Sequence, residues 1–246
     1  MYNKMAEVYD ELMRDAPYDK WLNFTNRIIR DIPGQNVLEI GCGTGEIAIR
    51  LANEGYEVNA FDLSDQMIEI AQKKTKCVIG KTNFFQADIT QLKLNQRFDL
   101  AISYCDVFNY LVTVEDLKQA LANTYYHLNE QGVFIFDVHS QAYVDWLVEQ
   151  GMFSEIREDI SYIWLCEPGD HFGEIFHDLT FFIQKDGELY ERQDEWHVQR
   201  THSVQHYKQL LKDIGFKKIN VYFDFTFNIK QKNEEDADRI FFVCYK

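Results

Sequence analysis

The sequence predicts an α/β protein: a parallel sheet with helices on both faces, interrupted late in the chain by an antiparallel β insertion. Three observations carry this reading. Apolar, strand-like runs alternate with helical patterns from Val37 to Asp137, the βαβ signature of a parallel sheet. The first run is closed by an acid and alternating glycines, Glu39-Ile-Gly41-Cys42-Gly43-Thr-Gly45, and a helical pattern follows from Ile47 to Asn53. Residues 154–200 then give up the helical period for alternating aromatic and β-branched residues.

Taken in order, residues from about Tyr2 to Arg30 read as one or two helices with a break at Pro17, and Pro33-Gly34 is the turn into the first strand. Val58-Asn-Ala-Phe-Asp62 reads as the second strand and Gln66–Lys74 as the helix after it. Asn83–Asp88 and Phe98–Tyr104 are the third and fourth strands. A helix around Leu117–Leu128 leads to a fifth, Gly132–Asp137. Ser140 is placed to N-cap a helix running to Gln150.

In the insertion, Ile156, Ile160, Tyr162 and Trp164 alternate, then Ile175, His177, Leu179 and Phe181. Glu167-Pro-Gly-Asp170 is expected to join its first two strands, and Lys185-Asp-Gly-Glu188 is a hairpin signal. A helix from Ser203 to Ile214 ends at Gly215, a strand covers Phe216–Phe225, Lys230–Asp238 is a charged loop, and Arg239–Lys246 is the last strand. The division is thus residues 1–150 and 201–246 as a ligand-binding core, with the N-terminal helices in 1–30. Residues 151–200 are the insertion.

The strand–glycine turn–helix unit has a chemical meaning. Glycines allow positive φ and let a ligand lie against the main chain, while the helix N-terminus offers free N–H groups. Ligands of open α/β sheets bind at the carboxyl ends of the strands. Glu39 sets this turn apart from a dinucleotide site, because a carboxylate there repels a pyrophosphate and suits an ammonium group. Asp62, about twenty residues on, stands where a carboxylate accepts hydrogen bonds from ribose hydroxyls. Asp88 ends the third strand, placed for an exocyclic adenine amine. The ligand read from these positions is nucleoside-like, free of phosphates and cationic.

Composition narrows the classes. The 246 residues carry a formal charge of −15, which disfavours nucleic acid, since phosphate contacts need clustered Lys and Arg. The acidity fits solubility and also attraction for an amine substrate. No apolar run approaches a membrane span, and the N-terminus lacks the basic-then-apolar order of a signal peptide. The five cysteines (Cys42, Cys77, Cys105, Cys166 and Cys244) show no CxxC spacing and read as reduced thiols of a cytoplasmic protein.

These spaced motifs resemble those of class I S-adenosylmethionine-dependent methyltransferases, over most of residues 1–140 and the C-terminal end. The resemblance implies a Rossmann-like, seven-stranded sheet whose last strand inserts antiparallel between its two predecessors, and S-adenosyl-L-methionine as cofactor. It implies cofactor contacts at Glu39, Gly41, Cys42, Gly43 and Gly45, at Asp62, Leu63 and Met67, at Asp88 and Ile89, and at Tyr104. Tyr9, in Tyr9-Asp10-x-Leu12, is similar to the first helix of small-molecule methyltransferases, which closes over the cofactor. The β insertion and the helix at 200–216 resemble those of sugar N-methyltransferases and glycine N-methyltransferase-like enzymes. The implied activity is methyl transfer to a small-molecule acceptor, with nitrogen favoured over oxygen, and no metal. The insertion is expected to set acceptor choice and to carry a homodimer contact.

Acceptor-side candidates cluster where the fourth and fifth strands end. His139 is the candidate general base, with a hydrogen-bonded rim histidine as the alternative. Asp106 and Asn109 either hold substrate or cap the following helix, and Tyr110 either lines the acceptor pocket or packs in the core. His202 and His206 lie four apart, and His171 and His177 flank acids, but neither pair shows a metal motif. Cys105 lacks the Pro-Cys context of a nucleophile. Two other classes stay open: a nicotinamide-dependent oxidoreductase, which explains neither Glu39 nor Asp88, and a non-catalytic cofactor-binding regulator.

Overall fold

The structure, a computed structural model, describes residues 6–30, 34–75, 80–185, 187, 189–228 and 232–246. Met1 to Met5, Pro33, Cys77, Asp186, Glu188 and Lys230, all part of the sequence reading, lie outside the described residues.

Two helices precede the sheet, α1 (Ala6–Leu12) and α2 (Tyr18–Ile29), with Pro17 at the N-cap of the second, where its missing N–H costs nothing. Strands and helices then alternate: β1 (Asn36–Ile40), α3 (Glu46–Asn53), β2 (Glu57–Asp62), α4 (Asp65–Lys74), β3 (Lys81–Gln86), β4 (Phe98–Ser103), α5 (Val114–His127), β5 (Leu128–His139) and α6 (Gln141–Gln150). Four strands follow, β6 (Met152–Ile156), β7 (Ile160–Pro168), β8 (Glu174–Gln184) and β9 (Tyr190–Arg200). The chain closes with α7 (Val204–Ile214), β10 (Lys218–Phe223) and β11 (Arg239–Tyr245). Ser64, Ser140 and Ser203 each cap the helix that follows, their hydroxyls accepting the N–H three residues on.

The main sheet has seven strands in the order β10-β11-β5-β4-β1-β2-β3. The pairs among β1 to β5 are parallel, while β11 runs antiparallel between β5 and β10. That is the strand insertion the family resemblance implies. Both faces are covered, so the central strands are apolar on alternate sides. Val37, Leu100, Ile102 and Val243 pack toward α2 and α3 on one face; Leu38, Ile40, Phe134, Phe136 and Phe242 pack toward α5 and α7 on the other.

Strands β6 to β9 form a separate antiparallel sheet in sequence order. Two expectations are corrected here. A turn, closed by the Arg157 N–H on the Ile160 carbonyl at 2.8 Å, separates Ile156 from Ile160, so the first expected strand is two. Glu167 and Pro168 belong to β7, and the loop of residues 169–173 therefore joins the second and third strands of the insertion. Helix α1 lies between the two sheets. Its Val8, Tyr9 and Leu12 pack on Ile160, Phe181 and Ile183 of the insertion, and Arg157 donates to the Glu11 carbonyl. Its Asp10 pairs with Thr44 Oγ1 and with Lys74 Nζ (2.5 Å) of the core.

Candidate active site

A cleft of about 1230 Å³, open at its mouth, lies at the carboxyl ends of β1, β2, β3 and β4. It is lined by Tyr9, Glu39, Gly41, Cys42, Gly43, Asp62, Leu63, Met67, Asp88, Ile89 and Tyr104, eleven of the twelve cofactor positions expected from the sequence. The sequence reading missed Thr44, Glu46, Ser64, Val107 and Leu111, which also line it. Thr44 and Glu46 sit within or beside the glycine run, a signal that was legible. Val107 and Leu111 are unremarkable apolar residues with no signature.

The turn after β1 is held by backbone bonds from Gly41 and Cys42 N–H to the Phe61 carbonyl, 2.8 and 3.0 Å. Its glycines serve different ends. At Gly45 (φ +83°) a Cβ would lie 2.7 Å from the Phe84 ring, so this residue answers to packing at the start of α3; it is the expected position that stands off the cleft. At Gly43 (φ +52°) the only atom among the described residues that a Cβ would meet is a Tyr9 ring carbon at 3.8 Å, so the main chain there faces open space that a ligand can occupy.

Glu39 shares its strand face with Val37 and is 3% exposed. Its carboxyl takes the Ala48 N–H in the first turn of α3, while Oε2 has no partner among the described residues. Burial, then the nearby Asp62 charge, push it up to about 8. Asp62 accepts from Gly43 N–H and Ser64 N–H, both at 2.9 Å, and burial raises it despite these bonds. The Leu63 N–H bonds the same carboxylate, which leaves about one of its four lone-pair sites for an outside donor. Asp88 N-caps the short 3₁₀ turn Ile89–Gln91 through Oδ1, leaving Oδ2 with a 3.4 Å contact from Gln91. The Tyr104 hydroxyl turns away from this chemistry to bond Thr25. Four carboxylates line the cleft (Glu39, Glu46, Asp62 and Asp88), and among the described residues no Lys, Arg or His does.

Beyond β4 the backbone is strained: Cys105 and Asp106 both take positive φ, 58° and 54°. Asp106 makes no side-chain cap to the 3₁₀ turn Val107–Tyr110 that follows it, so helix capping does not explain it. It accepts instead from Arg239 Nη2 (3.1 Å) and Gln199 Nε2 (2.7 Å), with His139 Nε2 at 3.4 Å. Arg239 Nη1 reaches Asp137 (2.9 Å), which also accepts from Trp21 Nε1 (2.9 Å). Burial opposes the Asp106 charge, yet His139 and Arg239 hold its carboxyl far below the usual range. Burial raises Asp137, although the shared Arg239 opposes it.

His139 does not line the cleft. Its imidazole lies between Asp106 and the Tyr143 ring (centroids 4.7 Å), and its Nδ1 has no hydrogen-bond partner among the described residues. Asn109 ties two strand ends together, donating to the Arg200 carbonyl and accepting the His139 N–H, both at 2.9 Å. Tyr110 and Cys105 do line the cleft, and burial pushes the Cys105 thiol well up, away from nucleophilic use. His171 is exposed in its loop, whereas His177 is buried on β8, bonded by Trp164 Nε1 (3.0 Å) and Gln199 (3.2 Å). The His202 and His206 rings lie tilted at 33° with centroids 4.7 Å apart, and no metal-binding group of three His, Cys, Asp or Glu residues occurs among the described residues.

A sheet of this order, with a glycine turn and a cleft lined by acids and by no basic residue among those described, is the frame of an α/β protein that takes a nucleoside-type cofactor at its strand ends. A family model described as a methyltransferase domain matches residues 37–132. A provisionally named methyltransferase of Geobacillus sp. (strain WCH70) is 39% identical over 248 aligned positions, covering 100% of this chain and 99% of its own length. The crystal structure of an S-adenosylmethionine-dependent methyltransferase from Clostridium acetobutylicum ATCC 824 matches with a TM-score of 0.87 at 29% identity, covering 99% of this chain and 98% of its own. The structure of S-adenosylmethionine-bound CalS10, an amino pentose methyltransferase from Micromonospora echinaspora, shares the fold: TM-score 0.72, 16% identity, 97% of this chain and 96% of its own. The chain belongs to the class I S-adenosylmethionine-dependent methyltransferases. It is an enzyme of that family, with S-adenosylmethionine as its cofactor.

Proposed function

We propose that the chain methylates a small-molecule acceptor that is neutral or cationic, at nitrogen in preference to oxygen. The observation that carries this is the cleft lining, four carboxylates with no basic residue among those described. A phosphate or carboxylate on the acceptor would find no Lys, Arg or His among the described lining residues, whereas an amine needs none. The fold partner named as an amino pentose methyltransferase is in keeping with an amine, though it speaks to the fold alone.

In this reading Glu39 Oε2, buried and without a partner, receives the cofactor's ammonium group, and Gly43 gives its main chain room. Asp62 binds the ribose hydroxyls and Asp88 the adenine edge, with Leu63, Met67 and Ile89 as apolar walls. The cofactor supplies an activated methyl on a sulfonium. The chain's contribution is then mainly position, and orientation of this kind lowers a barrier by roughly 7–11 kcal/mol. Tyr9 on α1, Tyr18 on α2 and Tyr110 surround the remaining side of the cleft, where ring faces suit an amine. His139 acts in this scheme by fixing Asp106 rather than by touching the acceptor. The four described cysteines are free thiols, which suits a reducing, cytoplasmic setting.

The test is transfer of labelled methyl from S-adenosylmethionine into a protein-free metabolite extract of Geobacillus cells, with products sorted on ion exchangers. Label in the neutral or cation-retained fractions supports the reading. Label confined to anionic products refutes it.

A further inference from the structure

The backbone that follows β4 is held in a conformation that its residues resist. Cys105 and Asp106 are consecutive non-glycine residues at positive φ, and such a pair persists only where its surroundings over-determine it. The stretch matters to the cleft, because Cys105, Val107 and Tyr110 line it. Three strands hold the turn from behind, all through Asp106. From β5, Asp137 accepts the Asp106 N–H at 3.2 Å. From β11, Arg239 Nη2 reaches Asp106 Oδ1 at 3.1 Å, and from β9, Gln199 Nε2 donates to Asp106 Oδ2 at 2.7 Å.

Gln199 stands at the end of a hydrogen-bond relay whose direction is fixed. An indole N–H can only donate, so the 3.0 Å bond from Trp164 Nε1 makes His177 Nδ1 an acceptor and puts the ring proton on Nε2. His177 Nε2–H then donates to Gln199 Oε1 at 3.2 Å, which turns the amide nitrogen toward Asp106. Trp164 lies on β7, His177 on β8 and Gln199 on β9, so the relay crosses three strands of the insertion and ends on the turn that walls the cleft. His177 and Gln199 are both buried, and burial pushes the imidazole down to about 4, so it stays neutral and the relay keeps its direction. A buried polar relay with every member satisfied specifies one arrangement, and removing one donor leaves a costly acceptor behind.

We infer that Gln199 is a positioning residue for methyl transfer: through Asp106 it holds the Cys105–Asp106 turn, and with it the cleft wall against which acceptor and cofactor methyl are aligned. Gln199 itself touches neither. The inference rests on the methyl transfer of the family and is independent of which acceptor is used. Orientation dominates this chemistry, and a misplacement of about 1 Å costs on the order of a hundredfold in rate. Arg239 pins the same carboxylate but is shared with Asp137, so its loss disturbs β5 and β11 as well. Gln199 is therefore the residue that probes the turn alone.

The experiment is labelled methyl transfer from saturating S-adenosylmethionine into a dilution series of the Geobacillus extract, at pH 8 and pH 6. It compares wild type, Gln199→Leu, Gln199→Glu and the exposed control Asp178→Asn. Affinity for S-adenosylhomocysteine, melting temperature and the rate of Cys105 alkylation by N-ethylmaleimide are measured on each protein. Gln199→Leu has no donor at either pH. The carboxyl introduced by Gln199→Glu faces Asp106 on one side and His177 on the other, with Arg239 and His139 beyond Asp106 and Cys166 beyond His177. Two carboxyls sharing a site raise the proton affinity of one, so the new group is a like charge at pH 8 and a donor again at pH 6. At pH 8 both variants should transfer about tenfold to a hundredfold more slowly than wild type, even in saturating extract. At pH 6 Gln199→Glu should regain most of the wild-type rate at that pH, and Gln199→Leu should not. The half-saturating dilution and cofactor affinity stay those of wild type, Cys105 is alkylated several-fold faster in both variants at pH 8, and Asp178→Asn behaves as wild type. Wild-type rates in both Gln199 variants overturn the inference. So does a loss in Gln199→Glu that pH 6 does not reverse, or one matched by lost cofactor affinity and melting temperature, the marks of a merely structural role. Should wild type label nothing in the extract, the thiol still decides, and unchanged Cys105 alkylation in both variants overturns the inference. Label confined to anionic products refutes the amine reading alone and leaves the comparison of variants intact.

Discussion

Burial and the Asp62 charge push Glu39 up to about 8, against an ordinary value of 4.5, so at neutral pH the cofactor-free protein keeps this carboxyl protonated. Between those two values the folded chain holds a proton that the unfolded chain has released. The Glu39 contribution to stability therefore falls as pH rises through that window. An ammonium group placed against Glu39 reverses its preference and expels the proton. Binding of S-adenosylhomocysteine at pH 7 should release protons, so the calorimetric heat should change with the ionisation enthalpy of the buffer, and affinity should strengthen toward pH 8. Glu39→Gln should remove the Glu39 share of that release and weaken binding by about tenfold or more, the scale of a hydrogen bond to a charged group. Undiminished proton release by Glu39→Gln would contradict the assignment. Glu39 was legible in the sequence because an acid before alternating glycines is chemically odd. For His139 the sequence left a general base and a hydrogen-bonded rim histidine both open, because a position just past a strand end does not say which way the ring turns. Here Asp106 and Tyr143 hold it outside the lining.

The turn between β1 and α3 shows why a motif is not a uniform site. Gly45→Ala puts a methyl 2.7 Å from Phe84 at positive φ and should cost about 2 kcal/mol or more of stability, read as a lower urea midpoint. Gly43→Ala pays only the cost of its positive φ, about 1–2 kcal/mol, and should mainly weaken cofactor affinity. Equal effects of the two on both quantities would contradict this division. At the ends of β4, β5 and β11, Arg239 is shared by the buried Asp137 carboxyl and the half-buried Asp106 carboxyl. Arg239→Met leaves them without a counter-charge and should lose about 3–5 kcal/mol, with part recovered as pH falls and the carboxyls protonate. An unchanged urea midpoint for this variant would show that the network is not what joins these strand ends. None of this network could be read from the sequence, since Trp21, Asp106, Asp137, Gln199 and Arg239 are brought together only by the strand order.

At the scale of the molecule, hydrophobic period and glycine punctuation gave away the alternation of strands and helices, because each buried strand and each covering helix must show its own repeat, while their assembly into one seven-stranded sheet came from the family resemblance. The insertion was legible as alternation, but its strand count was not. A tight turn at Arg157 interrupts the alternation no more than a strand residue would. Nor did alternation reveal that the β9 edge is polar inside, although Gln193, Glu195, His197 and Gln199 stand at the period of a strand. Helix α1 ties the two sheets together through Asp10, Val8, Tyr9 and Leu12, and its Tyr9 also lines the cleft. The central claim is that this cleft holds a cationic, phosphate-free nucleoside. Its most direct test is calorimetric titration of the full chain with S-adenosylmethionine and S-adenosylhomocysteine, with NAD as control. The account predicts micromolar binding of both sulfur ligands and none of NAD. A folded protein that binds neither sulfur ligand, or that binds NAD equally well, would contradict it.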